Sequence, residues 1–262
     1  MKRHVLIYTC FALLLFSGCD QNNEHPDTDA KKKETNPVKE APPVSASTLA
    51  VQAVIDSCSA LEIMPVDESA ADTSLLRFIT HLKKIVSEKN TTALLELIGP
   101  GTITSHGGGL SGKQDFIGYW QLHKAPHQSG LWKKLGRVIE LGGCFDKRLH
   151  KTEFIMPYLQ AGHYFDKGCD LDWFITYVCL SPSTRIYERP HQADKVIAEL
   201  RYGILEGSYD EKIVDSFIPV HTINRSIQGY VHERDVYPCA DYMLVIGKEH
   251  RTWRIKSFSP YD

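Results

Sequence analysis

Thr184-Arg185-Ile186-Tyr187-Glu188-Arg189-Pro190 is followed, after a short polar turn, by Lys195-Val196-Ile197-Ala198-Glu199-Leu200-Arg201-Tyr202-Gly203. Each run is a short apolar alternation closed by a turn-forming Pro or Gly, the pattern of a strand with one buried face. The same pattern recurs on both sides of these runs, from Trp173 onward. Candidate strands are Phe174–Leu180, Thr184–Tyr187, Val196–Leu200, Ile204–Tyr209, Ser216–His221, Gly229–Val231, Tyr242–Ile246 and Thr252–Phe258. Many short strands at such spacing predict a small barrel or sandwich.

The two opening runs resemble the start of a bacterial SH3-like domain, whose pattern there is "vRv...Ps..s.vi..l..G". Ser226-Ile227-Gln228-Gly229-Tyr230-Val231 matches the "G-[WY]-V" strand of that family, and Trp253-Arg254-Ile255 resembles its closing "WkI" strand. The resemblance covers roughly residues 173–262, within an expected SH3-like β module at 170–262. With what precedes it, the chain is similar to SH3-domain-containing lipoproteins of Gram-negative bacteria that carry a helical module ahead of the barrel. For those proteins the resemblance implies envelope localisation and no established chemistry. Such modules bind cell-wall peptides or other proteins through an aromatic groove. Here Tyr187, Tyr202, Tyr209, Tyr230 and Trp253 are the candidate groove members, and the competing reading is that they fill the core of a small barrel.

Upstream, the period changes to that of helices. Leu75, Phe78, Ile79, Leu82, Ile85 and Val86 follow the i, i+3, i+4, i+7 spacing of an amphipathic helix that Thr73 or Ser74 can cap. A second helix over Thr92–Ile98 is stopped by Gly99-Pro100. Ser111 and Ser129 start two more, with Phe116, Tyr119 and Trp120 on one and Leu131, Trp132, Leu135, Val138, Ile139 and Leu141 on the other. Residues 49–165 therefore read as a mainly helical module, with Trp120 and Trp132 as core. It is compatible with the cone-shaped NTF2-like class, an analogy of fold that carries no functional weight. The loop His106-Gly107-Gly108-Gly109-Leu110-Ser111-Gly112-Lys113 satisfies G-x-x-x-x-G-K, but Gln114 stands where a phosphate-binding loop needs Ser or Thr for magnesium. It reads as a turn into a helix.

The N-terminus reads as an address. Lys2 and Arg3 precede the apolar run Val5–Phe16, a secretory signal too short to span a bilayer as a stable helix. Ser17-Gly18-Cys19 then resembles a bacterial lipobox, which places the signal at residues 1–18 and acyl chains on Cys19. More than one chain makes such anchoring stable. Residues 19–48 hold four Pro, six acids and four Lys with almost no large apolar side chain. Such a stretch cannot bury enough surface to offset its ordering entropy, and it is expected to be a disordered tether.

The whole chain has 262 residues, 30 Lys+Arg against 32 Asp+Glu, and a formal net charge of −2. That balance gives no electrostatic basis for nucleic-acid binding, which needs a basic excess against phosphate. No H-E-x-x-H, G-x-S-x-G or C-x-x-C occurs. His123 and His127 have metal-ligand spacing, but Pro126 interrupts the helix they would need. The His232-Glu233-Arg234-Asp235 cluster reads as a solvated turn. Neither a metal nor a cofactor is expected. Cys58, Cys144, Cys169, Cys179 and Cys239 remain once Cys10 leaves with the signal and Cys19 is acylated. An odd number implies that at least one thiol stays free or pairs between chains. Cys169–Cys179 and Cys58–Cys144 are both open as pairs.

The expectation is thus an α+β chain: an N-terminal mainly helical module followed by a small all-β SH3-like barrel. Functionally it is a non-enzymatic lipoprotein of the bacterial envelope, lipid-anchored and facing the periplasm or outer surface. It binds a peptide, protein or peptidoglycan partner. The alternative is an envelope hydrolase or small-ligand-binding protein with its pocket in the helical module.

Overall fold

Helices and strands are interspersed along the chain. The computed structural model describes residues 58–146, 153–161, 169 and 171–260. The signal, Cys19 and the tether lie outside them. In chain order the described elements are α1 (Thr73–Ser87), α2 (Thr91–Leu97), β1 (Ile98–Ser105), β2 (Leu110–Ser111), α3 (Gly112–Tyr119), α4 (Leu131–Glu140), β3 (Cys144–Phe145) and β4 (Glu153–Met156). They continue with β5 (Thr176–Cys179), β6 (Thr184–Tyr187), β7 (Val196–Leu200), β8 (Ile204–Glu206), β9 (Phe217–Thr222), β10 (Gln228–His232), β11 (Val236–Pro238), β12 (Tyr242–Glu249) and β13 (Thr252–Pro260).

The apolar stripe of α1 is the one its spacing predicts: Leu75, Ile79, Leu82 and Ile85 are buried. Full burial of such a side chain contributes roughly 1.5–3 kcal/mol. Its cap differs from expectation. The Asp72 side chain accepts from the N–H groups of Ser74 at 2.8 Å and Leu75 at 3.2 Å. An aspartate there satisfies orphan donors and places negative charge at the positive end of the helix. The helix expected over Thr92–Ile98 is α2, Thr91–Leu97, and the chain beyond it, Gly99-Pro100 included, continues as β1, where the register with β13 shifts between Ile98 and Ile103.

The first sheet has the order β2-β1-β13-β12-β4-β3. β1 runs parallel to β13, and the neighbouring pairs are antiparallel. The Thr102 hydroxyl reaches across the parallel pair to the Ile255 carbonyl at 2.7 Å. The helices pack with this sheet around one apolar core containing Leu75, Leu94, Phe116, Leu131, Phe154, Ile246 and Phe258.

The second sheet has seven strands in the order β11-β5-β8-β9-β10-β6-β7. A smaller core of Cys179, Ile186, Leu205, Ile218, Val220, Val231 and Val236 belongs to it. Gly229 is the close-approach point: a Cβ there would lie 2.5 Å from the Tyr187 carbonyl oxygen and 2.8 Å from Ile197 Cδ1. Only glycine lets β10 and β6 meet at that spacing. Val178, Ile204 and Tyr237 of the second sheet are buried in the first core. Arg137 on α4 donates to the Glu233 and Val236 carbonyls, tying the helices of the first core to the second, and Gln160 donates to the Cys239 carbonyl within the first.

This architecture overturns the expected fold class. There is no separate helical module followed by a small SH3-like barrel. The two strands expected to close that barrel, Tyr242–Ile246 and Thr252–Phe258, belong to the first sheet, where they pair with β4, with each other and with β1. The physical reason is that alternation specifies which face of a strand is buried but not its neighbour. Trp253, Ile255 and Phe258 find their apolar partners in the first core. The cysteine pairing is also neither of those left open. Cys58 is bonded to Cys169, 111 residues away, while Cys144, Cys179 and Cys239 are buried.

Candidate functional site

The five candidate groove aromatics do not converge. Tyr187 on β6 and Tyr230 on β10 are register partners. Tyr187 is buried and meets Phe217 edge-on, with ring centroids 5.7 Å apart. Tyr202 lies in a left-handed turn at φ 47, its carbonyl accepting from Ile63 N–H at 2.8 Å. Trp253 is in the first sheet, 6 % exposed, and its indole N–H donates to Ser74 Oγ at 2.9 Å. Tyr209, in the β8–β9 loop, is the outlier at 68 % exposed.

The surroundings of Tyr209 are built as follows. Gly207 brings the loop against the second sheet: its N–H donates to the Ile175 carbonyl at 2.8 Å, and a Cβ would lie 3.0 Å from the Tyr177 ring. The chain then turns outward, and Tyr209 donates its hydroxyl proton to Asp172 Oδ2 at 2.7 Å. The other oxygen of the same carboxylate accepts from Phe174 N–H at 3.1 Å. Asp172 therefore holds the Tyr209 ring through its hydroxyl and the backbone of the exposed Phe174 through one side chain. The same bond raises the Tyr209 pKa, chiefly because the carboxylate accepts its proton and secondarily through the desolvation and charge around it. A phenol so held stays neutral at physiological pH and offers a ring face and a fixed dipole.

A cleft of about 380 Å³ opens beside this ring, lined by Tyr209, Asp210, Glu211, His221, Arg225 and Gln228 among others. His221 Nδ1 lies 3.8 Å from Glu206 and 3.1 Å from the Thr222 carbonyl oxygen. Asp210 and Glu211 have no ion-pair partner among the described residues. The loop ends in a two-residue turn. Asp215 and Ser216 both have positive φ, 48 and 67, between reciprocal Val214–Phe217 backbone bonds of 2.9 and 2.7 Å. Such a turn is ordinarily built from Asn and Gly. It leaves Ile213 and Val214 exposed at 56 % and 44 %. Exposed apolar side chains beside unpaired acids form a surface suited to a partner that brings both apolar groups and positive charge.

A second cleft, about 490 Å³, is lined by Asp72, Phe145, Glu153, Lys248, Trp253 and Lys256. Its cations are already engaged. Lys248 lies 2.9 Å from Asp72 and 4.5 Å from the Trp253 ring centroid, and Lys256 lies 2.6 Å from Glu249. Asp72 is held well below the usual carboxylate range, first by the Ser74 hydroxyl and then by Lys248. Glu249 is likewise lowered by Lys256. Carboxylates so stabilised are poor general acids and bases near neutral pH.

The remaining sequence features resolve as structure. The glycine-rich stretch forms the β1–β2 turn and leads into α3. There the Asp115 carboxylate accepts from Ser111 N–H at 2.9 Å, negative charge where a phosphate would sit. His123 and His127 lie in the α3–α4 connection, and Pro126 starts a single 3₁₀ turn there. In the 3₁₀ turn Glu233–Asp235, His232 Nδ1 accepts from Arg234 N–H. Among the described residues no three potential metal ligands cluster. Sequence reading missed Asp172 and Phe174, and nothing in their spacing marks them. The run Tyr209–Val214, an aromatic and two aliphatics among acids outside any alternation, was the signal available for the loop. No protein-family model, no curated protein and no solved structure matches this chain.

Proposed function

We propose that this chain is an envelope lipoprotein, anchored through acyl chains on Cys19, that binds a cationic peptide segment of a partner at the Tyr209 cleft and performs no reaction of its own. The observation that carries the binding assignment is Tyr209 itself. It is 68 % exposed, yet held by a 2.7 Å hydrogen bond beside a cleft with two unpaired acids. An aromatic ring restrained before binding loses little entropy when a partner docks. The lipobox-like Ser17-Gly18-Cys19 supports the anchor. The Cys58–Cys169 disulfide supports an oxidising compartment outside the cytoplasm.

Two experiments test this. Cys19→Ser moves the chain from the membrane fraction to the soluble fraction; unchanged membrane fractionation contradicts the anchor. For binding, the chain lacking residues 1–19 is titrated with fluorescent Lys/Leu and Glu/Leu peptides of equal length. The basic series binds, and Tyr209→Ala weakens it by roughly tenfold or more, as for an aromatic hot spot. Equal binding of both series, or indifference to Tyr209→Ala, contradicts the assignment.

A further inference from the structure

The connection between α3 and α4 holds a cleft of about 350 Å³, remote in sequence from the Tyr209 loop and lined by Tyr119, Trp120, Gln121, Gln128 and Ser129 among others. We propose that it is a binding site for a neutral saccharide. The lining carries aromatic rings, amides and a hydroxyl, and no charged side chain. A pyranose presents an apolar C–H face and a rim of hydroxyls that both donate and accept. Aromatic rings match the first, and primary amides, with two donors and two acceptor positions, match the second. A charged ligand finds no counter-charge in this lining.

The frame of the cleft is rigid. Trp120 stacks on Phe258 with centroids 5.5 Å apart and also meets Tyr242 at 5.1 Å. Tyr119 stands edge-on to Trp120 at 5.1 Å and shares a 2.8 Å hydroxyl contact with Tyr242. Across the cleft, Ser129 Oγ donates to the Trp120 carbonyl at 2.7 Å, and the Trp132 indole donates to the Pro126 carbonyl at 2.6 Å. Tyr119, Gln121 and Gln128 remain exposed. The Trp120 indole N–H is buried and has no hydrogen-bond partner among the described residues.

Gln121 stands where α3 gives way to the cleft. The end of α3 is a Schellman motif: Leu122 N–H bonds to the Ile117 carbonyl and Gln121 N–H to the Gly118 carbonyl. The residue at the turn must be left-handed, and Gln121 has φ 52. Glycine is the favoured residue there because a side chain is strained in that region. Lys89 takes the same left-handed place at the end of α1, so what sets Gln121 apart is that it also lines this cleft.

The test uses the detergent-solubilised full chain in calorimetric titrations with two neutral probes, the β-1,4-linked trisaccharide of N-acetylglucosamine and maltotriose. At least one binds saturably, with Kd below about 1 mM. A preference for the first assigns the site to an amino-sugar polymer, and for the second to a glucan. Tyr119→Ala weakens binding roughly tenfold. Gln121→Gly weakens it at least about threefold while leaving the melting temperature equal or higher, the combination that a purely structural glutamine does not give. Absence of saturable binding to both probes overturns the proposal. So does affinity unchanged in both variants.

Discussion

Tyr209 donates its hydroxyl proton to Asp172 across 2.7 Å, while the second oxygen of that carboxylate accepts from the backbone of Phe174. A single acid thus fixes the Tyr209 ring and the backbone that carries Phe174, joining two separate segments. It does so at the surface, where both residues stay mostly exposed. The relationship orders a surface before a partner arrives.

Asp172→Ala is therefore expected to leave the melting temperature nearly unchanged and to weaken peptide binding about three- to tenfold, the cost of restraining the freed side chains. The protonation of Tyr209 should report the same bond. Its pKa is raised in the folded protein, so the folded state holds this proton more tightly than the unfolded chain. The contribution is complete below the ordinary tyrosine pKa of about 10 and is lost as pH rises through the folded value. A pH titration of ¹³Cζ-labelled tyrosine followed by NMR checks this: the Tyr209 midpoint moves down in Asp172→Ala.

Asp72 shows the opposite sign. Its pKa is lowered by Ser74, Lys248 and the backbone N–H groups of α1. Its contribution is therefore complete above the ordinary carboxylate pKa and is lost as pH falls through the acid range. Asp72→Asn keeps a capping oxygen but removes the charge. Denaturant melts between pH 7 and pH 2 should show a shallower acid loss of stability in this variant than in the parent.

The Cys58–Cys169 bond closes a span of 111 residues and ties the start of the described chain to the segment that precedes the second sheet. Constraint of the unfolded chain by a loop of that size predicts a loss of about 2–5 kcal/mol in Cys58→Ser/Cys169→Ser. Urea melts measure it. The other thiols behave differently: burial pushes Cys179 up to about 12 and raises Cys239 as well. Iodoacetamide labelling followed by peptide mapping should find Cys144, Cys179 and Cys239 unmodified in the native protein and modified in urea.

Gly229→Ala tests the second sheet. The added methyl meets the Tyr187 carbonyl oxygen, Ile186 Cγ2 and Ile197 Cδ1 at 2.8 Å or less. Overpacking of this kind costs about 1–3 kcal/mol. Hydrogen exchange should quicken in β6, β7 and β10 while protection of β12 and β13 is retained.

The elements themselves were legible in the sequence wherever periodicity was strong. The Leu75–Val86 stripe marks α1, and Leu131–Ile139 marks α4. Each candidate strand after Trp173 overlaps a strand of the structure. Their arrangement was not legible. Trp253-Arg254-Ile255 has the local pattern of a barrel-closing strand, yet β13 lies between β1 and β12, because pairing partners are chosen by long-range packing. The same limit applies to the site. Tyr187, Tyr202 and Trp253 read like Tyr209 in a linear sequence. Only the fold separates the residues that fill turns and cores from the one that stands in solvent. Gln121 was illegible for a different reason, since a left-handed backbone leaves no mark on composition or period.

The most direct test of the account is photo-crosslinking in intact cells, with a benzophenone amino acid at position 209 in one variant and at position 187 in another. Tyr187 is 6 % exposed, against 68 % for Tyr209. The account predicts a discrete adduct from position 209, recovered in the membrane fraction, none from position 187, and loss of the adduct in competition with the Lys/Leu peptide. Absence of an adduct at position 209, or equal adducts at both positions, would contradict it.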